Sequence, residues 1–168
     1  MWLAAAMVLV LVPLTLARAE EAAPEQPASE EAAPTGVEAL AISKALDTVK
    51  DRSTIDLSTV GRKTERIHTR PVWFVVADGR ILVQSGQGGK TDWYRNVQKH
   101  SDVTLRTEDF VFRAHARLVT DPVEVERVHR LFLDKYRTAW LLSFLGSRIG
   151  RGAPVELIPD SVQGRPQG

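Results

Sequence analysis

The sequence contains no cysteine among its 168 residues. This absence excludes disulfides, thiolate metal sites, cysteine nucleophiles and lipid attachment through a cysteine. Any folded domain of the chain must therefore be stabilised by its packed core.

Histidine is scarce, and the spacing of the histidines does not favour metal binding. The HxxxH and HExxH spacings, which place two ligands on one helix face, are absent. We therefore expect no metal site, and we expect solvated or half-buried side chains at His68, His100, His115 and His129.

Long apolar runs are also few, and the clearest one opens the chain as "MWLAAAMVLVLVPLTL". It is shorter than the roughly 20 residues that span a bilayer. It is followed by Ala17-Arg18-Ala19, a small-x-small cleavage pattern. No Lys or Arg precedes it, so an uncleaved anchor is the alternative. Residues 1–19 thus predict a signal peptide or N-terminal anchor. The protein would be exported, periplasmic or membrane-anchored facing outside the cytoplasm, with membrane association through this segment if it is retained.

Residues 20–36, "EEAAPEQPASEEAAPTG", contain five Glu, three Pro and no basic residue. Such a segment buries too little apolar surface to offset its ordering entropy, so we predict a disordered Ala/Pro/Glu linker. Residues 37–168 then retain 21 basic and 16 acidic side chains, a net charge of +5. This mildly basic domain suits an anionic ligand, but the charge is too modest to favour nucleic acid.

Helical periodicity marks two amphipathic segments in the domain. Residues 37–50 place Ile42, Ala45, Leu46 and Val49 on one face. Residues 121–136 open with an N-cap, a proline and a glutamate in order, the pattern of a helix start. A further apolar helical stretch is predicted within "TAWLLSFLGSRIG", and a short helix within "DWYRNVQKH".

Strand patterns fill most of the remainder. Residues 53–60 predict one strand, and 67–85 predict two strands joined by a turn at Asp78-Gly79. Pro71 favours an edge position or a bulge. Residues 102–107 and 110–119 predict a second hairpin, "APVELIPD" predicts a closing strand, and 161–168 are predicted to be a disordered tail. Hairpin connections favour an antiparallel sheet. We therefore predict a mainly β (α+β) fold, a small closed or half-closed barrel of about six strands with flanking helices.

Two loops carry donors for an anion. "GRKTERIHTRP", residues 61–71, presents arginines and a lysine, which suit a phosphate, although a solvated turn is the alternative. "SGQGGKTDWYRNV", residues 85–97, has glycines that leave backbone N–H groups accessible before a short helix, although a plain connector is the alternative. Trp93 can stack on a planar ring, and core packing is the favoured reading for it.

These two segments together resemble a known family. "GRKTERIHTRPVWFVV" is similar to the "GRKSGxxRTxPLWFV" segment of split-barrel oxidoreductases that bind a deazaflavin coenzyme (F-420 type) or FMN. "SGQGGKTDWYRNV" is similar to their "SGxGxxxDWYRNL" segment. The resemblance covers about residues 53–159, and it identifies a deazaflavin-dependent nitroreductase-like protein of the pyridoxamine phosphate oxidase-like superfamily. Glu65, His68 and Arg70 depart from the usual residues, and Glu65 adds a negative charge where glycine is usual.

The resemblance implies a split β-barrel over residues 37–160 and a cofactor site. The matching positions imply four parts of a cofactor site. They are contacts to the cofactor's phosphate, a strand along its ring, a loop around its polar chain, and a helix that supports the loop. The implied cofactor-binding residues are Arg62, Lys63, Thr64, Thr69, Arg70, Pro71, Ser85, Gly86, Gly88, Gly89, Lys90, Trp93 and Tyr94. Asn96 belongs to the same supporting helix, and no catalytic side chain is assigned.

The implied activity is hydride transfer between a deazaflavin or FMN cofactor and a small two-electron acceptor, such as a quinone or nitro compound. Export of such an enzyme requires its cofactor to be delivered outside the cytoplasm. The alternative is therefore an exported, non-catalytic split-barrel protein that binds a flavin, tetrapyrrole or other anionic small molecule. The expected partner is a small-molecule substrate. Proteins of this kind often pair across the sheet, so a homodimer stays open beside a monomer.

Overall fold

The computed structural model describes residues 34–137 and 152–165, which belong to one compact unit. Predictions for residues 1–33, for the apolar stretch at 138–150 and for residues 166–168 lie outside the described residues. Among the residues described, no helix has the length and apolar character needed to cross a membrane.

Six antiparallel strands close into a barrel in the order β1-β2-β3-β6-β5-β4. This confirms the predicted mainly β barrel with flanking helices. The strands are Thr54–Val60 (β1), Ile67–Ala77 (β2), Arg80–Ser85 (β3), Asp102–Arg106 (β4), Phe110–Leu118 (β5) and Ala153–Gly164 (β6). The helices are Gly36–Val49 (α1), Gly86–Gly89 (α2), Asp92–Val97 (α3) and Pro122–Lys135 (α4).

The two long helices form where capping and periodicity predicted them. Thr35 and Glu38 make a reciprocal capping box at the start of α1, and the four apolar residues predicted to share its face are all buried. Asp121 accepts hydrogen bonds from the backbone N–H groups of Val123 and Glu124 at the start of α4. Both helices therefore begin at residues whose side chains satisfy their unpaired N–H groups.

The β2–β3 hairpin also follows its sequence signal. Asp78 and Gly79 have φ values of 52° and 72°, the left-handed conformations that a tight two-residue hairpin turn requires. Pro71 lies in the first half of β2, and that half pairs with β1. Pairing of β2 with β3 begins only at Phe74. Among the described strands, Pro71 therefore has a strand neighbour on one side, as its missing N–H predicts.

The closing strand differs from the prediction at its end. The sequence predicts a strand over 153–160 and a disordered tail from 161, whereas β6 continues to Gly164. Val162 packs against the core, and the Arg165 N–H donates to the Asp109 carbonyl at 2.7 Å. The partner strand β5 is long enough to pair with this extension, and a register shift between Arg113 and Ala114 accommodates it. Long-range pairing thus orders a segment whose local composition favours disorder.

Candidate functional site

The β1–β2 turn, residues 61–66, is tightly closed. The Gly61 N–H donates to the Arg66 carbonyl at 2.8 Å, and the Glu65 N–H donates to the Gly61 carbonyl at 2.9 Å. A Cβ at Gly61 would lie 2.7 Å from the Thr64 hydroxyl and 2.9 Å from the His68 ring, so these side chains would have to move to admit a larger residue. Glu65 adopts a φ of 55°, a conformation that glycine adopts at lower cost. Contacts beyond the turn must therefore favour glutamate there.

Helix α3 and the turn after it supply contacts to the β1–β2 turn. Asp92 and Asn96 are one helical turn apart on α3, Lys99 lies two residues beyond the helix, and all three side chains reach the β1–β2 turn. Asn96 accepts from the Arg62 N–H at 3.1 Å and donates to the Thr59 hydroxyl at 3.2 Å. Lys99 Nζ donates to the Arg62 carbonyl and to Glu65 Oε1, both at 3.0 Å. The turn and the helix are thus held as one unit.

Arg62 is the best-connected residue of this unit. Its Nη1 donates to Asp92 Oδ1 at 3.0 Å and to Asn96 Oδ1 at 3.3 Å. The Arg62 hydrogen bond is the main cause that lowers the pKa of Asp92. The Lys99 hydrogen bond is likewise the main cause that lowers the pKa of Glu65, whose carboxylate also lies 3.4 Å from His100. Both carboxylates are therefore ionised and paired at neutral pH.

A cleft of about 380 Å³ opens between the turn and α3, and we call it the turn cleft. Lys63 and Arg70 line it as exposed cations, and no carboxylate partner of either is seen within the described residues. The cleft size is in the range of small-molecule sites. Its lining residues are Thr59, Gly61, Arg62, Lys63, Thr64, His68, Arg70, Asp92, Trp93 and Asn96.

The turn cleft contains five of the residues that the sequence resemblance implied. These are Arg62, Lys63, Thr64, Arg70 and Trp93. Trp93 is also buried in the core, as expected, and its ring meets that of Tyr94 edge to face at 6.0 Å. Thr69 turns to β1, where its hydroxyl lies 2.7 Å from that of Ser58. The other eight implied residues do not line this cleft; they are Thr69, Pro71, Ser85, Gly86, Gly88, Gly89, Lys90 and Tyr94.

The glycine segment is a compact turn rather than an open loop. Gly86–Gly89 form the short helical turn α2, and the buried Ser85 hydroxyl lies 2.7 Å from that of Thr91. Gly89 has a φ of 80°, and a Cβ there would lie 2.9 Å from the Tyr94 ring. Gly89 therefore allows the turn to pack on α3. This segment directly precedes α3 in the sequence, and residues of α3 form one wall of the turn cleft.

Sequence reasoning omitted three residues that shape the site. Asp92 and Lys99 were not assigned to it, and Glu65 was noted only as an added negative charge. The spacing of Asp92 and Asn96 was a usable signal, because residues four apart share one helix face. The pairing of Glu65 with Lys99 depends on tertiary structure and has no local signal.

A second cleft, the α4 groove, has a volume of about 540 Å³. Its walls come from α4 and from strands β3, β5 and β6. Glu156, buried on β6, pairs with Arg80 and Arg117, and Asp78 pairs with Arg127. The arginines of the α4 groove are thus neutralised internally. Within residues 34–137 and 152–165, no cluster of three or more His, Asp or Glu side chains is arranged to hold a metal ion.

Solved structures share the fold at low sequence identity. A conserved hypothetical protein from Mycobacterium tuberculosis matches with a TM-score of 0.57 at 18% identity, over 73% of this chain and 82% of its own. A putative pyridoxamine 5'-phosphate oxidase from Listeria innocua matches with a TM-score of 0.56 at 14% identity, over 76% and 99%. The heme storage protein HutZ from Vibrio cholerae matches with a TM-score of 0.56 at 17% identity, over 75% and 95%. These likenesses establish the split-barrel fold.

The family model described as F420H(2)-dependent quinone reductase matches residues 40–140. That range includes the β1–β2 turn, the glycine segment, α3 and the whole of α4. It spans more than half of the chain and both segments on which the sequence resemblance rests. The chain therefore belongs to the F420H(2)-dependent quinone reductase family, whose members are oxidoreductases that use a deazaflavin coenzyme.

Proposed function

We propose that the protein transfers a hydride between a reduced deazaflavin, bound at the turn cleft, and a small two-electron acceptor such as a quinone or nitro compound. The observation that carries this proposal is the pair of exposed cations, Lys63 and Arg70, beside a cleft whose other walls are hydrogen-bonded in place. Cations without a carboxylate partner retain their charge for a ligand.

The residues present fit the coenzyme's anionic portion. Lys63 offers a point charge and Arg70 a planar fork, the donors that phosphate groups prefer. Thr64 adds a hydroxyl, and Arg62 retains guanidinium nitrogens beyond the one bonded to Asp92. We assign the phosphate to these side chains. The segment Ser85–Lys90 is assigned to the remainder of the polar chain by resemblance to the family.

The protein's own contribution is to bind and to orient. When bound, the reduced deazaflavin supplies the hydride. Lys63 and Arg70 would fix the anionic end, and the buried Trp93 would exclude water from the inner wall of the cleft. FMN is the alternative cofactor, since it presents a phosphate and a similar ring to the same donors.

The test is a binding titration followed by turnover. Lys63→Gln combined with Arg70→Gln should weaken binding of reduced deazaflavin at least about tenfold, because two charges of the proposed phosphate site are lost. The free energy of unfolding of the protein without ligand should change by less than about 0.5 kcal/mol, because both side chains are exposed.

The matched control is Lys44→Gln combined with Arg113→Gln, which removes the same charge from exposed positions outside the turn cleft. Equal loss of binding in both double variants would show a general charge effect and would refute the assigned site. Oxidation of the bound deazaflavin by a quinone or nitro acceptor supports the enzyme. Tight binding without oxidation by any acceptor would favour the non-catalytic carrier.

A further inference from the structure

Arg62 is partnered by a carboxylate at the position where the proposed ligand's phosphate would bind. Asp92 Oδ1 accepts from Arg62 Nη1 at 3.0 Å. The Asp92 side chain is 80% exposed, whereas that of Arg62 is only 24% exposed. The carboxylate is therefore the more solvent-accessible partner, and it can turn into solvent while the arginine stays packed against the turn.

Asp92 also interacts electrostatically with a second cation of the turn cleft, Arg70. The pKa of Asp92 is lowered mainly by Arg62, with smaller effects from Arg70 and from Arg95, which lies outside the cleft lining. The carboxylate thus lies within electrostatic reach of Arg70, one of the two exposed cations assigned to the phosphate. An anion that enters the cleft is repelled by the Asp92 carboxylate, which also occupies one nitrogen of the Arg62 guanidinium.

We propose that Asp92 is a tethered competitor that lowers the affinity of the turn cleft for anions that bind Arg62. This inference rests on the proposed function, because it concerns the same anion site. A ligand must displace the Asp92 carboxylate before it can take that position on Arg62, and this cost is the same for each ligand. Phosphate-type anions and carboxylates should therefore both bind more tightly when the Asp92 charge is removed.

The position of Asn96 supports this role. Asn96 Oδ1 holds the Arg62 backbone N–H at 3.1 Å and its Nη1 at 3.3 Å. Release of Asp92 therefore leaves the arginine fixed by a neutral partner that is itself buried. The site is prepared to accept an incoming anion without rearrangement of the turn.

The closing experiment titrates the full chain with inorganic pyrophosphate and, separately, with succinate, followed by NMR chemical shifts. Asp92→Asn keeps the side-chain shape and one acceptor oxygen but removes the charge. It should tighten pyrophosphate binding about two- to fivefold, the range of an exposed charge pair. It should tighten succinate binding by a similar factor, because the same carboxylate has to be displaced from Arg62.

Glu65→Gln is the matched control, because it removes an equal charge from the same turn. The partners of Glu65 are Lys99 and His100 rather than Arg62. Its effects on pyrophosphate binding and on succinate binding should both be smaller than those of Asp92→Asn. Adding Asp92→Asn to Arg62→Gln should give no further gain, since the proposed competition requires the arginine. Arg62→Met, which also removes the charge, provides the same comparison if Arg62→Gln fails to fold.

Three outcomes would overturn the inference. Equal gains in Asp92→Asn and Glu65→Gln would show an effect of net charge alone. No gain in Asp92→Asn, while pyrophosphate binding still depends on Lys63 and Arg70, would refute the competitor role and leave the proposed function standing. Absence of pyrophosphate binding in both the wild type and Asp92→Asn would overturn the inference together with the assigned phosphate site.

Discussion

The turn cleft and the α4 groove are both lined by basic side chains, but they differ in how those side chains are partnered. In the α4 groove Glu156 pairs with Arg80 and Arg117, and its own side chain is only 8% exposed. In the turn cleft Lys63 and Arg70 are exposed and lack such a partner within the described residues. The α4 groove is larger, at about 540 Å³ against about 380 Å³. The turn cleft is therefore the better candidate for binding an anion, because its cations lack carboxylate partners among the described residues, although its volume is smaller.

The register of β6 explains the arrangement in the α4 groove. Glu156 is directly opposite Leu82 of β3 on one side and Arg117 of β5 on the other. Arg80 lies two residues before Leu82 and reaches the same carboxylate. A buried carboxylate is costly unless it is paired and hydrogen-bonded, so these arginines are needed for stability. They have less capacity to bind an external ligand.

The largest expected effect comes from breaking this pairing. Glu156→Gln should lower the free energy of unfolding by about 2 kcal/mol, because two arginines lose their charged acceptor at a buried position. Pyrophosphate binding at the turn cleft should be unaffected. Denaturant unfolding and the pyrophosphate titration measure the two quantities. A loss of binding with little loss of stability would reverse the roles assigned to the two clefts.

Lys135 differs from the cations of both clefts: it is half-buried, and its ammonium group is held by backbone carbonyls rather than by a carboxylate. Its Nζ donates to the Lys50 and Phe74 carbonyls at 2.7 and 2.8 Å, and it lies 4.1 Å from the centre of the Phe74 ring. Burial lowers the pKa of Lys135 to about 8, below the ordinary value of about 10.4 for the unfolded chain. Between these two values the unfolded chain binds more protons than the folded one.

Stability should therefore rise with pH through this window. The free energy of unfolding of the wild type, measured relative to Lys135→Met, should increase modestly between about pH 8 and pH 10. Parallel denaturant series at several pH values measure this difference. Constancy of the difference over the window would show that burial does not lower the pKa of Lys135.

The smallest effect is expected at the rim of the α4 groove. Arg127 pairs with Asp78 of the β2–β3 turn, and both side chains are substantially exposed. Arg127→Gln should destabilise the protein by less than about 1 kcal/mol, as is usual for surface ion pairs. Thermal unfolding in low and high salt checks this, because screening should remove most of the difference. A larger, salt-independent loss would mean that the pair has a structural role like that of Glu156.

Local signals in the sequence predicted much of the fold. The turn at Asp78-Gly79 and the start of α4 each depend on residues that are close in sequence, and both were predicted correctly. The extension of β6 to Gly164 was not predicted, because it depends on pairing with β5 across the barrel. The helical turn at Gly86–Gly89 was not predicted: the sequence indicated a glycine segment with accessible N–H groups or a plain connector, and glycine composition does not determine which turn forms.

The candidate site was predicted in part for the same reason. Arg62, Lys63 and Arg70 lie close together in sequence, and the structure brings them to one cleft with Trp93. The pairing of Asp92 with Arg62 joins residues that are far apart in the chain, and burial of Glu156 between two strands depends on their register. Sequence patterns located the cations, but they did not show which cations have carboxylate partners.

The order of strands has a consequence for synthesis of the protein. Within residues 34–137 and 152–165, β6 is the last strand in sequence order, yet it lies between β3 and β5 in the barrel. While a nascent chain still lacks Ala153–Gly164, both neighbours present backbone N–H and C=O groups without a partner. The incomplete polypeptide is then exposed to edge-to-edge association with other copies, and a premature stop codon before this strand should yield an insoluble product.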